Sequence, residues 1–175
     1  ERKKKEKGKY KELPPIDISD SPELPESWIW TKLGMICKTT SGGTPSRKNK
    51  DYYGGKIPWL KSGELNNQII YSTEEHITEE GLLNSSAKIF PKGALLIALY
   101  GATTGKLGIL ELDAATNQAI CAIFPYCEIS CQFLFWYLTK YRNELLNIRI
   151  GGAQPNISQQ ILKNSPLPLA PLFEQ

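Results

Sequence analysis

From Ala94 to Tyr100 the chain runs Ala-Leu-Leu-Ile-Ala-Leu-Tyr, apolar on both sides of any pleat. A strand with one wet face alternates, so this run predicts a strand buried on both faces. Lys106–Leu112 and Ala119–Phe124 predict two further short strands, and the turns between them are rich in Gly, Thr, Asn and Gln. The pattern is that of a buried sheet holding up polar, glycine-bearing loops.

Other elements follow from the same reading. Leu24–Gly34 predicts an entry turn and a first strand, with Trp28 and Leu33 as core anchors, and Met35–Thr40 continues it. Ile57–Lys61 predicts a short strand in which Trp59 packs the core, since large aromatics dominate core energetics. Ser62–Asn67 is polar and turn-like, Ile69–Tyr71 predicts an edge strand, and Thr78 caps a single helical turn over 78–83. The strongest helical signal spans Ser130–Ile150. Phe133, Leu134, Tyr137, Leu138, Tyr141, Leu145 and Ile148 recur at three- and four-residue spacing, with Ser130 placed to cap the start and Gly151 to end it. Ser158 is placed to cap a short helix through Leu162, and Pro166–Gln175 is extended and stiffened by prolines.

Composition narrows the class. A chain of 175 residues with 41% hydrophobic and 22% charged side chains suits one ordinary globular domain. No apolar run is long enough to span a bilayer, and the lysine-rich start lacks a signal peptide's apolar segment, so a cytoplasmic protein without a membrane partner is expected. The net charge of +3 is unevenly spread. Residues 1–11 carry seven Lys or Arg against two Glu, a net of +5, and the other 14 basic and 16 acidic side chains leave the body at −2. Binding to a polyanion must therefore come from local patches and loops. The charged tail gives way at Leu13-Pro-Pro to a polar linker, Ile16–Pro25.

Enzyme chemistry finds little footing. Gly101-Ala-Thr-Thr-Gly-Lys106 invites a phosphate-loop reading, but three residues separate its glycines where four are needed, and Leu107 stands where Ser or Thr would meet magnesium. A plain hairpin turn fits better, because a strand follows. Cys37, Cys121, Cys127 and Cys131 form no pair of CxxC knuckles, and the sole histidine, His76, lies beside Glu74 and Glu75 with no Ser or Cys partner in view. Thiols in a reducing compartment are expected, with Cys121 a buried strand residue and His76 solvated. There is also no Gly-x-Gly cofactor loop, and no Asn- or Asp-Pro-Pro-Tyr motif of the kind that works on a flipped base. The expectation is a chain that binds, needs no cofactor or metal, and does not catalyse.

Two loops carry binding chemistry. Ser41-Gly-Gly-Thr-Pro-Ser-Arg-Lys-Asn-Lys50 combines paired glycines, hydroxyls and three cations, which suit phosphates or base edges. Gly151-Gly-Ala-Gln-Pro-Asn-Ile-Ser-Gln-Gln160 offers carboxamides able to pair with adenine in a major groove.

Nine short pieces then stand in a familiar order: Leu24-Pro-x-x-Trp28, Gly42-Gly-Thr-Pro45, Ile57-Pro-Trp59, Ile77-Thr-Glu-Glu-Gly81, Pro91-Lys-Gly93, Tyr100-Gly-Ala-Thr-x-Gly-Lys106, Asn117-Gln-Ala119, Gly151-Gly-Ala-Gln-Pro-Asn-Ile-Ser158 and Pro168-x-x-Pro-Leu-x-Glu-Gln175. In that order they resemble the target-recognition domains of type I restriction-modification specificity (S) subunits, over Leu24 to Gln175. The resemblance implies a compact α/β (α+β) domain, β-rich, with a mixed, highly twisted sheet and a few helices. It divides the chain into a tail at 1–23 that ends a spacer helix, a recognition domain at 24–172, and the start of a following helix at 173–175. It also implies sequence-specific reading of one half-site on double-stranded DNA. The implied partners are a methyltransferase subunit that methylates adenine, a restriction subunit, and a second recognition domain in the same or another chain.

On that implication, Arg47, Lys48 and Lys50, with Lys61 and Lys106, hold phosphates alongside the hydroxyls of Ser41, Thr44 and Ser46. Thr103, Thr104, Gln154, Asn156 and Ser158 face base edges, and the segment Asn66–Glu75 is the next candidate reader. A non-catalytic module for a glycan or a protein partner would explain the aromatics and the acidic body as well. A steep loss of affinity with salt separates the two.

Overall fold

The computed structural model describes residues 15–16, 21–126, 128–147 and 156–175. Leu95–Ala98 (β7) is the central strand of a five-stranded sheet, and all four of its residues are buried, as its unbroken apolar run predicts. Its neighbours are Ile120–Pro125 (β10) and Leu107–Leu110 (β8), both antiparallel to it. Cys37–Ser41 (β2) pairs antiparallel outside β10, and Gln68–Ile70 (β4) pairs parallel to β8 at the far edge. The connection from β7 to β8 is a hairpin with a loop over 99–106: the Gly105 amide donates to the Ala98 carbonyl at 2.8 Å and the Thr104 amide to the Gly101 carbonyl at 3.2 Å. Gly101 and Gly105 sit at φ +96° and +76°, backbone that side-chain-bearing residues rarely adopt.

A second, four-stranded sheet lies on one face of the first. Its order is Glu75–Ile77 (β5), Tyr53–Leu60 (β3), Ala114–Thr116 (β9) and Ile89–Phe90 (β6). The β3–β9 pair is parallel and the others are antiparallel, so both sheets are mixed. β9 falls where the sequence reads as a polar turn; three small residues carry too little hydrophobic signal to predict a strand. β3 is longer than its apolar core suggests, and a register shift between Tyr53 and Ile57 sets both of them opposite Ile77.

Strand alternation sorts the core into layers. Leu95 and Ile97 of β7 and Cys121 and Ile123 of β10 face a cluster shared with Leu33, Leu134, Leu138, Leu145 and Leu162. Leu96 and Ala98, with Ile120 and Ala122, face the opposite way, onto Leu60, Leu65, Phe90 and Ala114 between the two sheets. Trp59, Ile77 and Ala115 pack the outer face of the second sheet.

The helical layer departs from expectation at one point. The predicted helix over 130–150 is two segments, Cys131–Lys140 (α3) and Arg142–Asn147 (α4), and its last residues lie outside those described. Ser130 caps it as expected, accepting from the Phe133 amide at 3.2 Å. At Tyr141 the backbone leaves helical ψ (φ −77°, ψ 1°), and Arg142, just beyond, turns toward the β7–β8 hairpin. Glu79–Leu83 (α2) is capped by Thr78, and Gln159–Asn164 (α5) by Ser158. The first predicted strand is likewise broken: Ile29–Lys32 (β1) and β2 are separated by one helical turn, Leu33–Ile36 (α1), which swings Leu33 into the core while leaving Trp28 half-buried. β1 pairs antiparallel with Pro166–Leu169 (β11), bringing the two ends of the described fold together.

Burial pushes the Cys121 thiol up to about 11. Alkylation at neutral pH is expected to be on the order of 100-fold slower at Cys121 in the native chain than in the denatured one, since the thiolate is the nucleophile. Mass-spectrometric mapping of the labelled sites checks this, and equal rates would contradict the burial.

Candidate nucleic-acid interface

The strand directions gather distant loops at one end of the two sheets. The C-terminal ends of β2 (Ser41) and β7 (Ala98) stand beside the N-terminal ends of β10 (Ile120), β8 (Leu107) and β4 (Gln68). The C-terminal ends of β3 and β9 (Leu60 opposite Thr116) emerge at the same side. Backbone bonds then stitch the loops into one rim. Gly42 donates to Ile120 at 3.2 Å, Gly43 to Thr116 at 2.9 Å, Asn117 to Leu60 at 2.9 Å, Leu99 to Ala119 at 2.7 Å and Ile157 to Leu99 at 2.7 Å. Loops 41–44, 61–67, 99–106, 117–119 and 156–158 are thus one surface; residues 45–50 lead from it toward the start of β3, with Arg47 tied back to its edge through Glu75 and Lys61.

Side chains on this rim divide into those spent on structure and those left outward. Thr104 is 2% exposed; its hydroxyl donates to the Gly101 carbonyl at 2.6 Å and its own carbonyl accepts both Nε and Nη2 of Arg142 at 3.0 and 2.7 Å. Thr103 donates to the Ser62 carbonyl at 2.5 Å, tying the hairpin to the turn at 62–64. Ser158 is the α5 cap, and Ser41 accepts from Gln159 Nε2 at 2.8 Å while the same carboxamide accepts from Thr39 at 3.1 Å. Thr44 donates to the Gln118 carboxamide oxygen. Ser46, Lys48, Lys50 and Asn156 are exposed, and Lys106 reaches Asn66 Oδ1 at 2.6 Å. Gln154 lies outside the described residues.

Electrostatics separate the cations further. Arg47 pairs with Glu75 at 2.7 Å, and Lys61 bridges Glu74 at 2.8 Å and Glu75 at 3.1 Å. The hydrogen bond from Arg47, more than the one from Lys61, holds the Glu75 carboxyl below its ordinary range, so it stays ionised at neutral pH. The Glu74 and Glu75 carboxylates raise Lys61 in turn. These two cations are already matched by carboxylates, whereas Lys48 and Lys50 point their charge to solvent.

The family model for the type I restriction modification DNA specificity domain matches residues 25–175. The chain belongs to this family.

Among specificity-domain relatives, the MjaIX specificity subunit of Methanocaldococcus jannaschii is 33% identical over 162 residues, which is 90% of this chain and 37% of that subunit. The HindI specificity subunit of Haemophilus influenzae is 32% identical over 128 residues, covering 70% of this chain and 28% of that one. This chain therefore spans well under half the length of the relatives it matches, 37% of one and 28% of the other. The crystal structure of the HsdS subunit from Thermoanaerobacter tengcongensis shares the fold, with a TM-score of 0.66 at 22% identity over 88% of this chain and 36% of that one.

For a specificity domain, the rim includes residues that reading the sequence did not single out as contacts. Lys88 joins the 41–50 side, its Nζ 3.0 Å from Thr40 Oγ1. Gln118 also stands there, through Thr44. Lys88 lies 48 positions from Thr40, and no local pattern marks it; only the pairing of β6 with β9 brings it to this edge.

Proposed function

We propose that this chain reads one half-site of double-stranded DNA, acting as the recognition domain of a type I restriction-modification specificity subunit. The observation that carries the reading is the single rim on which five loops of polar, cationic and carboxamide residues converge in a chain of this family. Lys48, Lys50, Lys88 and Lys106 supply the phosphate contacts that set register. Ser46, Gln118 and Asn156 face the bases, with Ser41, Thr44, Thr103, Thr104 and Ser158 holding the loops that present them and the 66–75 segment beside them; Gln154, outside the described residues, is assigned a base contact from the sequence alone. The recognition unit is 24–172, with 1–23 and 173–175 leading into flanking spacer segments. Methylation of adenine and cleavage belong to methyltransferase and restriction subunits, and a second recognition domain reads the other half-site, all in the cytoplasm. None of the described helices is long and apolar enough to cross a membrane.

The test is selection from a randomised duplex pool at low and moderate salt, with and without a methyltransferase subunit. Enrichment of one short sequence is expected. With about four phosphate contacts, affinity should fall roughly 100-fold between about 50 and 200 mM salt. No retention at low salt, with or without the partner, would end the DNA reading.

A further inference from the structure

Arg47 differs from every other cation on the rim in how it is held. Its guanidinium carbon lies 4.2 Å from the centroid of the Tyr53 ring and 5.0 Å from that of Trp59. Those rings meet edge to face, their centroids 5.9 Å apart, and each is anchored to the 41–47 loop: Tyr53 OH donates to the Pro45 carbonyl at 2.6 Å and Trp59 Nε1 to the Gly43 carbonyl at 3.1 Å. Trp59 is itself 2% exposed, so the platform is part of the core. From the other side Glu75 takes one guanidinium nitrogen, Nη1, at 2.7 Å, and Lys61 in turn holds Glu75 at 3.1 Å. The side chain nevertheless stays 53% exposed.

We propose that Arg47 is a specificity-determining residue that reads guanine, and not a phosphate anchor; the assignment rests on the DNA-reading function above. A phosphate anchor needs net positive charge and tolerates motion, which suits Lys48 and Lys50 on the same loop. Arg47 has its charge matched by Glu75 and its rotamer set by two rings and a carboxylate. What it still offers outward is a flat fork of N–H donors at a fixed angle, the geometry that meets the O6 and N7 acceptors of guanine. Because the side chain is ordered before binding, little conformational entropy is lost when it docks. Glu75 and Lys61 are positioning residues for that fork.

The experiment is the randomised-duplex selection repeated at two salt concentrations with the whole chain carrying Arg47→Ala, Arg47→Lys, Glu75→Gln or Lys48→Ala, each checked for unchanged thermal unfolding. The wild-type motif should contain a guanine whose preference over other bases falls about 5- to 100-fold in Arg47→Ala. Arg47→Lys, which keeps the charge but not the fork, should not restore it. Glu75→Gln should blunt the same position while raising affinity for all sequences, because it uncovers a positive charge. Lys48→Ala should leave the motif intact and shallow the salt slope by about 1. A wild-type motif unchanged in both Arg47 variants, or weakened evenly across all bases, overturns the assignment and leaves Arg47 a loop latch, with the DNA reading intact. A wild-type chain that retains DNA but enriches no sequence overturns the assignment together with the half-site reading.

Discussion

Gly42→Ala is expected to destabilise the chain by on the order of 3 kcal/mol or more and to lower the unfolding midpoint by about 6–12 °C. A methyl group at this position would sit 2.1 Å from Thr116 Oγ1 and 2.2 Å from the Thr116 carbonyl oxygen, far inside van der Waals contact. Thr116 cannot yield, since it is fully buried in β9 and pairs with Leu60 of β3. The loop must yield, and with it the Gly42 bond to Ile120 and the Gly43 bond to Thr116. Because residues 44–50 hang from that pair of glycines, the DNA binding proposed above should weaken in whatever fraction still folds. Gly63→Ala is the matched control: nothing lies within 4 Å of its added methyl, so a change within about 0.5 kcal/mol is expected. Thermal denaturation of the two variants side by side decides the matter, and equal midpoints would contradict the close approach of the 41–50 loop to β9.

Leu96→Ala should cost roughly 3–5 kcal/mol, toward the upper end for a leucine, with a fall of about 6–20 °C in the midpoint. Leu96 is 0% exposed and stands on the central strand with Ala122 directly across on one side and Gly108 on the other. Its small neighbours make it the piece that fills the space between the sheets, and they offer no side chain able to swing into the hole. Gly108 cannot be enlarged to compensate without strain, because a methyl there would meet Leu65 at 2.7 Å. Ile69→Ala, at the exposed edge strand, should cost far less. Urea unfolding compares them. A loss at Leu96 below about 1 kcal/mol would mean that the layer between the sheets is not packed as described.

The parts of the fold legible in the sequence share one property: their signal is local. The double-faced burial of β7 is written in seven consecutive apolar residues, and the caps at Thr78, Ser130 and Ser158 each need only the three residues that follow. The hairpin at 101–105 was legible for the same reason, as glycine spacing excluded a phosphate loop and left a turn. What was not legible depends on distant partners. β9 is too short and small-sided to declare itself, and the break at Tyr141 comes inside a stripe that reads as one continuous helix. A strand and not a helical turn was expected at Leu33–Ile36, yet the chain turns there to place Leu33 among α3 and α5 residues.

The same division runs through the candidate site. By itself the sequence determined which loops carry hydroxyls, carboxamides and cations, and, through nine short motifs in order, the family the chain belongs to. It could not say which cations remain available, because charge neutralisation is a matter of a few ångströms between residues far apart in the chain. Arg47 and Glu75 are 28 positions apart and Lys61 and Glu74 13, and the pairing of β3 with β5 alone makes them ion pairs. Tertiary structure likewise decided that Thr104 is buried and Lys88 belongs to the rim. Composition sets what a surface can contain, but strand order and direction set which side chains share it and which already have a partner.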